Sequence, residues 1–474
     1  MSRAILVPLG ASLLLVTGCA SVPRDSGLDD VRKAVQERTH QSLELKSGAS
    51  STDDPRVADM LHGELDADKA VAIAMINNPR LQVVLGELGI ARADLIEAST
   101  IRNPIAEAEL RFPASPFRPF EVLVTQTLVD LFLLPRRRAV GKATFEAEKL
   151  RVTGEVIHLG AEVRESFYDL VAALQRVGMD RTIVESARTS AELARRMNSV
   201  GNLNDLDLEN EQARYEEAKL DLARGEENAL VRREKLLREM GLRDRMIDWK
   251  TREDFPALAD RELSQEEIDA SLTSRRLDIS IAQREVEAAK AALPIARTSV
   301  VGDISVGVHQ ERESDGTKTT GPSIQLPIPI FNRGRAGRTR AEARLAQAEQ
   351  RLAAVRAEAG SEIRAVRARL LSTRARVEYY RDVLLPRRRR IVELTSLQYN
   401  AMLLGLFQLL QAKQNEINAR HEYIEAQLDY WKARSDFDLV INGVGGTEED
   451  NRSRRSPLER RTMVDESAIR GGSR

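Results

Sequence analysis

The stretch GPSIQLPIPIFNRGR, residues 321–335, interrupts a chain whose sequence is otherwise dominated by helical patterns. From Ser323 to Ile330 isoleucine and leucine alternate with other residues, at positions 324, 326, 328 and 330. Alternation with a period of two predicts a β-strand with one apolar face. The prolines at 327 and 329 fit a strand end or a bend, where a ladder donor is not needed. The fold therefore depends on what covers a short apolar strand between two long helical regions.

The composition of the 474 residues indicates long helices. The chain is 42% hydrophobic and 31% charged, only 4% aromatic, and has a formal net charge of −1. Ala, Leu, Glu and Arg predominate, which is typical of long helices. A balanced charge provides no basic face of the kind that nucleic-acid binding requires.

The first residues, MSRAILVPLGASLLLVTGCASVP, are organised like an export signal. Arg3 precedes the apolar run Ala4–Gly18, which is short for a membrane span and typical of a secretory signal. The single cysteine, Cys19, follows directly, so no disulfide is expected. The segment resembles a lipobox, which implies that Cys19 is acylated and becomes the new N-terminus, and Ala20 after it implies delivery to the outer membrane. The alternative is a soluble exported protein with an unmodified thiol.

The remainder of the chain is a duplication with an offset near two hundred residues. EVRESFYDL at 162–170 matches EIRAVRARL at 362–370, and RRRAVGKATFEAE at 136–148 matches NRGRAGRTRAEAR at 332–344. So long a repeat indicates that a whole domain was duplicated. The predicted organisation has six segments: a signal peptide, 1–18; an acylated segment, 19–64; repeat 1, 65–242; a linker, 243–263; repeat 2, 264–443; and a disordered tail, 444–474.

Each repeat is expected to run helix, two strands, long helix, turn and long helix. The helical patterns cover roughly 66–99, 138–198 and 204–241, and then 265–298, 335–400 and 404–441. One predicted face of the first long helix carries Val163, Phe167, Leu170, Val171, Leu174 and Val177. A helix of roughly sixty residues is about 90 Å long. Narrow apolar stripes on helices of that length predict side-by-side packing as coiled coils.

The strands of each repeat alternate apolar and polar residues. In repeat 1 alanine, leucine and phenylalanine at 106–112 alternate with charged residues, and a second run follows at 121–128. In repeat 2, Ile304, Val306 and Val308 alternate with polar residues before the opening stretch. Such strands suit a barrel with lipid outside and water inside. Four strands cannot close a barrel with a usable interior, so several chains would have to contribute strands.

Two other classes of protein remain open from these patterns. Ordinary hairpins lying on the helices would also alternate, giving a lipid-anchored structural coiled-coil protein without a channel. A channel predicts that Arg at Ile324 or Val306 blocks assembly while Arg at Ser305 is tolerated, whereas a scaffold predicts no such contrast. An exported enzyme is the third class.

No catalytic chemistry stands out. The histidines, at 40, 62, 158, 309 and 421, have no metal-ligand spacing, and no phosphate loop or nucleophile elbow is present. We therefore expect no enzyme, no metal site and no cofactor apart from the covalent lipid at Cys19. The basic run PRRRR, 386–390, is expected to be solvated or paired with acids on a neighbouring helix, and Pro386 to kink its helix. Contact of this run with nucleic acid or anionic lipid is the less favoured interpretation.

Over roughly 65–443 the sequence resembles the TolC-type outer-membrane efflux family. The resemblance is carried by LPIPIFNRGR, by TQTLVDLFLLPRRRAVGKA at 125–143, and by the segments 199–222 and 399–433 around two helix turns. It implies a mainly α fold with a small β part: a coiled-coil α-barrel plus four strands per chain in a trimeric transmembrane β-barrel. It also implies an outer-membrane exit duct extending into the periplasm, which passively conducts substrates and works with a periplasmic adaptor and an inner-membrane pump.

The resemblance also implies roles for particular residues. The adaptor-contact tips would be Val200, Gly201 and Asn202 in repeat 1 and Leu404 and Gly405 in repeat 2, where Ala401-Met402 departs from the Val-Gly of the family. Glu393 would be the acidic residue of the periplasmic gate, with a solvated position on the helix as the equal alternative. Acidic rings favour cations over anions. The strand-exit segment resembles the heavy-metal branch, so metal ions are the expected cargo, with drugs and other small organic molecules left open.

Overall fold

The computed structural model describes residues 26–39, 55–112, 119–242, 249–268, 275–298, 304–331 and 333–444. Cys19 and nearly all of the predicted tail lie outside these residues. Contacts divide the chain into two units. One holds residues 83–153 and 278–357 together with the N-terminal residues up to Lys33, and the other holds residues 34–82, 154–277 and 358 onward.

The described residues are predominantly helical. The helices are α1 Leu28–Thr39, α2 Pro55–Leu61, α3 Ala67–Asn77, α4 Pro79–Ala98, α5 Val129–Ser199, α6 Asp205–Glu239, α7 Leu277–Thr298, α8 Arg335–Tyr379, α9 Leu385–Asn400 and α10 Leu406–Ile441. The strands are β1 Glu64–Leu65, β2 Ile105–Leu110, β3 Phe120–Thr127, β4 Lys250–Thr251, β5 Ser305–Arg312 and β6 Lys318–Gln325. Apart from the short parallel pair β1–β4, all strands belong to one sheet.

The long helices bury narrow stripes. In α8 the buried residues are Ala359, Ile363, Leu370, Thr373 and Val377, with spacings of three, four and seven that place them on one face. In the second unit this stripe packs on α10 through side chains that include Tyr430 and Phe437. The predicted apolar face of the first long helix is likewise buried, except that Leu174 is only partly buried. Coiled-coil packing therefore follows the predicted stripes.

The first long helix begins earlier than the sequence pattern predicted. It starts at Val129 rather than near residue 138, so the apolar run Leu131–Leu134 is helical. Asp130, whose side chain is 1% exposed, accepts hydrogen bonds from Arg102 at 2.9 Å and from Arg137. These two arginines stabilise the buried carboxylate at the point where the strand becomes a helix.

Pro386 coincides with an irregularity in the second long helical run. Between α8 and α9, residues Tyr380–Leu384 form a π-helical turn, and Pro386 lies in the first turn of α9. A proline cannot donate to the carbonyl four residues earlier, and its ring clashes there, so the wider turn accommodates it. The predicted kink site is therefore a π-turn.

The linker packs on α8 and α10 through one buried acid. The side chain of Glu262 is 4% exposed and accepts hydrogen bonds from the Tyr430 hydroxyl at 2.8 Å and from Arg434 at 2.6 Å. Arg374 lies 3.5 Å away. Burial, followed by the hydrogen bond to Glu262, raises the pKa of Tyr430 to about 12. This charge-assisted cluster holds the linker against the helices.

The main sheet is antiparallel throughout, in the order β2-β3-β5-β6. Each hairpin supplies two strands, and β3 of the first pairs with β5 of the second over eight residues, from Phe120 opposite Arg312 to Thr127 opposite Ser305. Because β3 and β6 both run away from the hairpin turns, the helices that follow them, α5 and α8, begin at the same end of the sheet. We call this the helix end.

The predicted strand at 323–330 is wrong in its extent. The hydrogen-bonded strand β6 is Lys318–Gln325, and the segment Leu326–Phe331 continues beyond it without strand pairing. Pro327 and Pro329 lack the amide donors that a ladder needs, which explains why pairing ends there. Within β6, Pro322 opposes Val308 in the outermost strand, where one side of the backbone is free.

Candidate functional site

The four-stranded sheet has one apolar and one polar face. Directly opposed residues of antiparallel strands share a face, so the register assigns every side chain. One face carries Ala106, Ala108, Leu110, Phe120, Val122, Val124, Val306, Val308, Pro322 and Ile324, joined by Gln126 near the helix end and by Gln310, Arg312, Lys318 and Thr320 toward the turns. The other carries Glu107, Glu109, Glu121, Thr125, Thr127, Ser305, Gly307, His309, Glu311, Thr319, Gly321, Ser323 and Gln325, with Ile105 and Leu123.

The apolar face is uncovered. Val308 is 57% exposed and Ile324 74% exposed, and Val124 next to Val308 is also exposed. A hairpin that lay on helices of its own chain would bury these side chains, so the scaffold interpretation loses its main structural expectation. A contiguous exposed apolar surface of this kind marks contact with lipid or with another molecule.

The sheet is open at both edges. Among the described residues, β2 and β6 each pair on one side only. Unpaired backbone groups at an edge cannot face hydrocarbon, because water is not there to satisfy them. The edges therefore need partner strands if the apolar face lies in lipid.

The polar face carries a cluster of charges near the hairpin turns. Arg111 donates to Glu109 at 3.0 Å and to Glu121 at 2.9 Å, and lies 3.8 Å from Glu311. His309 Nε2 is 3.0 Å from Glu121. Acids outnumber bases here, so this face suits water and not lipid.

The two long helical hairpins end in turns of the same geometry. In the first, the amide of Gly201 donates to Asn198 and that of Asn202 to Met197, both at 2.9 Å. In the second, Met402 donates to Tyr399 and Leu403 to Gln398, again at 2.9 Å. These are Schellman turns, which need a left-handed residue after the helix. Gly201 (φ +76°) and Met402 (φ +58°) occupy that position.

This geometry fixes how the two tips correspond. Val200-Gly201 matches Ala401-Met402 in position, and Gly405 matches Asn204, because both precede the next helix as its N-cap. No sequence signal marks Met402 as the turn residue, since methionine rarely adopts a positive φ. It is 93% exposed. The roles of Val200, Gly201, Asn202, Leu404 and Gly405 as adaptor contacts stay predictions.

Glu393 lies on the exposed surface of α9, before the second tip. Its carboxylate accepts a hydrogen bond from Arg390 at 3.1 Å, one turn earlier. Arg390 belongs to the basic run at 386–390, so the predicted acidic gate residue carries its own counter-charge. The gating role of Glu393 stays a prediction.

The second unit contains a partly buried acid with a raised pKa that the sequence did not reveal. Burial, followed by the nearby Asp436, raises the pKa of Glu165 on α5 to about 7. Lys432 opposes this shift but is engaged by Asp169, whose carboxylate lies 2.6 Å from its Nζ. Burial also raises the pKa of Asp436, although Arg369 donates to it at 3.1 Å.

Within the described ranges, no group of three or more His, Cys, Asp or Glu residues has an arrangement suited to a metal ion. No helix among those residues combines the length and apolarity needed to cross a membrane.

Two β-hairpins that share one sheet with an exposed apolar face, each followed along the chain by a long helical hairpin, define the class: a mainly helical protein with a small β part whose apolar face needs lipid or a partner. The family model described as "Outer membrane efflux protein" matches residues 117–242 and 270–443. The chain belongs to this family, which confirms the resemblance inferred from its motifs. Since this is a family of transport proteins, the expectation that the chain is not an enzyme is also confirmed.

Individual relatives agree with this assignment. The cobalt-zinc-cadmium resistance protein CzcC of Cupriavidus metallidurans is 21% identical over 387 residues, which cover 80% of this chain and 90% of CzcC. A membrane protein from Pseudomonas aeruginosa has a TM-score of 0.68 at 20% identity, over 81% of this chain and 92% of that one. The channel CusC has a TM-score of 0.65 at 18% identity, over 85% and 96%. These similarities confirm the predicted fold class.

Proposed function

We propose that three copies of the chain form the exit duct of a tripartite efflux pump in the outer membrane. Each copy contributes four strands to one closed β-barrel, with the apolar face toward lipid and the polar face toward water. The observation that carries the proposal is the exposed apolar face between two open edges. Further copies of the sheet can pair with both edges and still leave the apolar face toward lipid. Substrates cross passively, since a water-filled duct requires no catalytic group.

The periplasmic side of the duct is formed by the helical hairpins, and their tips contact an adaptor protein that is bound to an inner-membrane pump. Support comes from the two matching turns, which expose apolar side chains at Val200, Met402 and Leu403. Glu393 is the acidic candidate for the gate, and its negative charge is paired with Arg390. Acylation of Cys19 anchors the chain, and the lipobox-like sequence supports this assignment.

Heavy-metal ions are the proposed cargo. The support is the similarity to CzcC, whose name assigns it to cobalt, zinc and cadmium resistance. Cells that lack the gene should become more sensitive to Co²⁺, Zn²⁺ or Cd²⁺ and keep their tolerance of organic drugs. Unchanged metal tolerance with lost drug tolerance would assign organic molecules as the cargo.

The duct itself is tested on protein purified from membranes. We expect a detergent-stable trimer that forms ion-conducting pores in a planar lipid bilayer. A monomer without conductance would refute the proposal. Replacing Cys19 with Ser is the matched variant for the anchor: it should abolish metabolic labelling with palmitate, whereas unchanged labelling would contradict the anchor.

A further inference from the structure

The helix end of the sheet carries a second exposed surface that the strand pairing does not explain. In repeat 2 it is the segment Leu326–Phe331, in which Ile328 is 76% exposed and Phe331 98% exposed. In repeat 1 it is the first turn of α5, where Leu131 and Phe132 are exposed. Both lie at the same end of one sheet and within one unit. The apolar surface of the strands therefore continues past their last hydrogen bond.

The composition of Leu326–Phe331 suits the edge of a hydrocarbon layer. Leu326 and Ile328 continue the alternation of Ile324, which lies on the apolar face. Two of the intervening residues are prolines, so two amide donors are missing, and the amide of Ile330 donates to Ile328 at 2.9 Å. Few unsatisfied donors remain, which lowers the cost of placing irregular backbone near lipid.

Each apolar segment is followed directly by arginines. After Phe132 come Arg136 and Arg138, and after Phe331 come Arg333 and Arg335; all four are exposed. None of these four side chains has an ion-pair or hydrogen-bond partner within the described part of the chain. The first turn of α8 also contains no acidic residue to offset its arginines against the positive end of the helix dipole. The same pattern, aromatic residue then unpaired arginines, occurs in both repeats.

We propose that these segments form a belt that binds the anionic phosphates of phospholipids in the leaflet facing the periplasm. Phe132 and Phe331 lie at the level of the headgroups, and Arg136, Arg138, Arg333 and Arg335 bind the phosphates. Aromatic residues at a membrane interface, with arginines just outside it, match the chemistry of that layer. Phospholipid is a better occupant than a neighbouring copy, because the exposed arginines beside the apolar segments complement an anionic headgroup. The belt rests on the proposed membrane position of the sheet.

The test uses the full chain purified in a neutral detergent, with lipid binding followed by native mass spectrometry. The probes are dioctanoyl-phosphatidylglycerol, dioctanoyl-phosphatidylcholine and inorganic phosphate. Each arginine near an anionic headgroup contributes about fivefold in affinity. We expect the wild-type protein to prefer phosphatidylglycerol at least tenfold, and replacement of the four belt arginines by Gln to remove that preference.

A matched control replaces four exposed arginines far from the sheet in sequence, Arg195, Arg196, Arg387 and Arg389, by Gln, which removes the same charge. It should keep the preference for phosphatidylglycerol, and so should a variant with Lys at the four belt positions. If the fourfold Gln variant does not fold, the double variants Arg136→Gln/Arg138→Gln and Arg333→Gln/Arg335→Gln replace it. Each should lower the logarithm of the preference for phosphatidylglycerol by about half.

Four results would overturn the belt. They are an unchanged lipid preference in the belt variants, an equal loss in the control, inorganic phosphate that competes as well as the lipid, and loss of the trimer with lipid binding intact. The last would assign the surface to a neighbouring copy. Because the readout is lipid binding, a chain that conducts ions without lipid preference refutes the belt alone, and one that binds lipid without conducting refutes the duct alone.

Discussion

The face assignment of the sheet makes a sharp prediction at two consecutive residues of β5. Val308 lies on the apolar face between Val124 and Pro322, away from both strand ends. His309 lies on the polar face opposite Leu123, and its ring reaches diagonally to Glu121. Arg at Val308 should block assembly. Arg at His309 should be tolerated, because the side chain remains in water and can pair with Glu121, whose carboxylate is 3.0 Å from the His309 ring.

The magnitude follows from the position of the substitution. Arg on the lipid face of a β-barrel costs about 2–4 kcal/mol at the bilayer midplane and about 0–1 kcal/mol near an interface. Three copies bring the cost at Val308 to about 6–12 kcal/mol for a trimer. Ile324 lies on the same apolar face, and the apolar segment Leu326–Phe331 follows it, so Arg there should be about as damaging as Arg at Val308. Arg at Ser305, on the polar face, should be nearly neutral.

The assay is the amount of detergent-stable trimer extracted from membranes, measured beside the guanidinium midpoint of the same protein in lipid vesicles. Val308→Arg and Ile324→Arg should both remove most of the trimer, with His309→Arg and Ser305→Arg close to wild type. Equal damage at Val308 and His309, or none at either, would refute the assignment of lipid and water to the two faces.

Three further predictions concern the helices. A left-handed conformation costs roughly 1 kcal/mol in a residue with a Cβ, and Met402→Gly removes that cost. Hydrogen exchange at the Leu403 amide should therefore slow about fivefold. Faster exchange would show that the backbone at Met402 is not strained. Glu262→Gln should lower the free energy of unfolding by about 2 kcal/mol in thermal denaturation, because the arginines around the buried carboxylate lose their counter-charge. An unchanged melting temperature would show that the cluster around Glu262 does not stabilise the fold. Glu165 has a folded pKa of about 7, above its unfolded value of about 4.5, so it destabilises the fold progressively as pH rises from about 4.5 to 7. Glu165→Gln should therefore stabilise the protein at pH 8 by roughly 1–2 kcal/mol and have little effect at pH 4. Equal effects at both pH values would contradict the raised pKa.

The helical part of the fold was readable from the sequence because its signal is periodic over many residues. The stripe through Val163 and Phe167 has several turns in which to establish a 3.6-residue period, and the structure buries it. Element ends were less readable. Alternation continues through Leu326 and Ile328 although the hydrogen-bonded strand ends at Gln325, since alternation reports which side faces the apolar medium and not where the ladder stops.

The tips show a different limit. The resemblance put Ala401-Met402 at the place of the family's Val-Gly, but a methionine gives no indication of a left-handed turn residue, because glycine is the residue that adopts a positive φ most easily. The structure places Met402 there and uses Gly405 as the N-cap of α10. Composition does not record which of several nearby residues closes a turn; that depends on the hydrogen bonds from residues 402 and 403 to the end of α9.

The distribution of exposed hydrophobic side chains connects these observations. Among the residues whose side chains the structure describes, every large apolar one that is more than two-thirds exposed lies in the sheet, at one of its ends, or at a helical tip: Phe112, Phe132, Val200, Leu206, Ile324, Ile328, Phe331, Met402 and Leu403. A chain that functioned alone would have little reason to concentrate its uncovered apolar surface at such places. Lipid can cover the first group and a protein partner the second. The buried stripes of α5 and α8 are covered within the chain, so the most exposed groups mark where the molecule meets its surroundings.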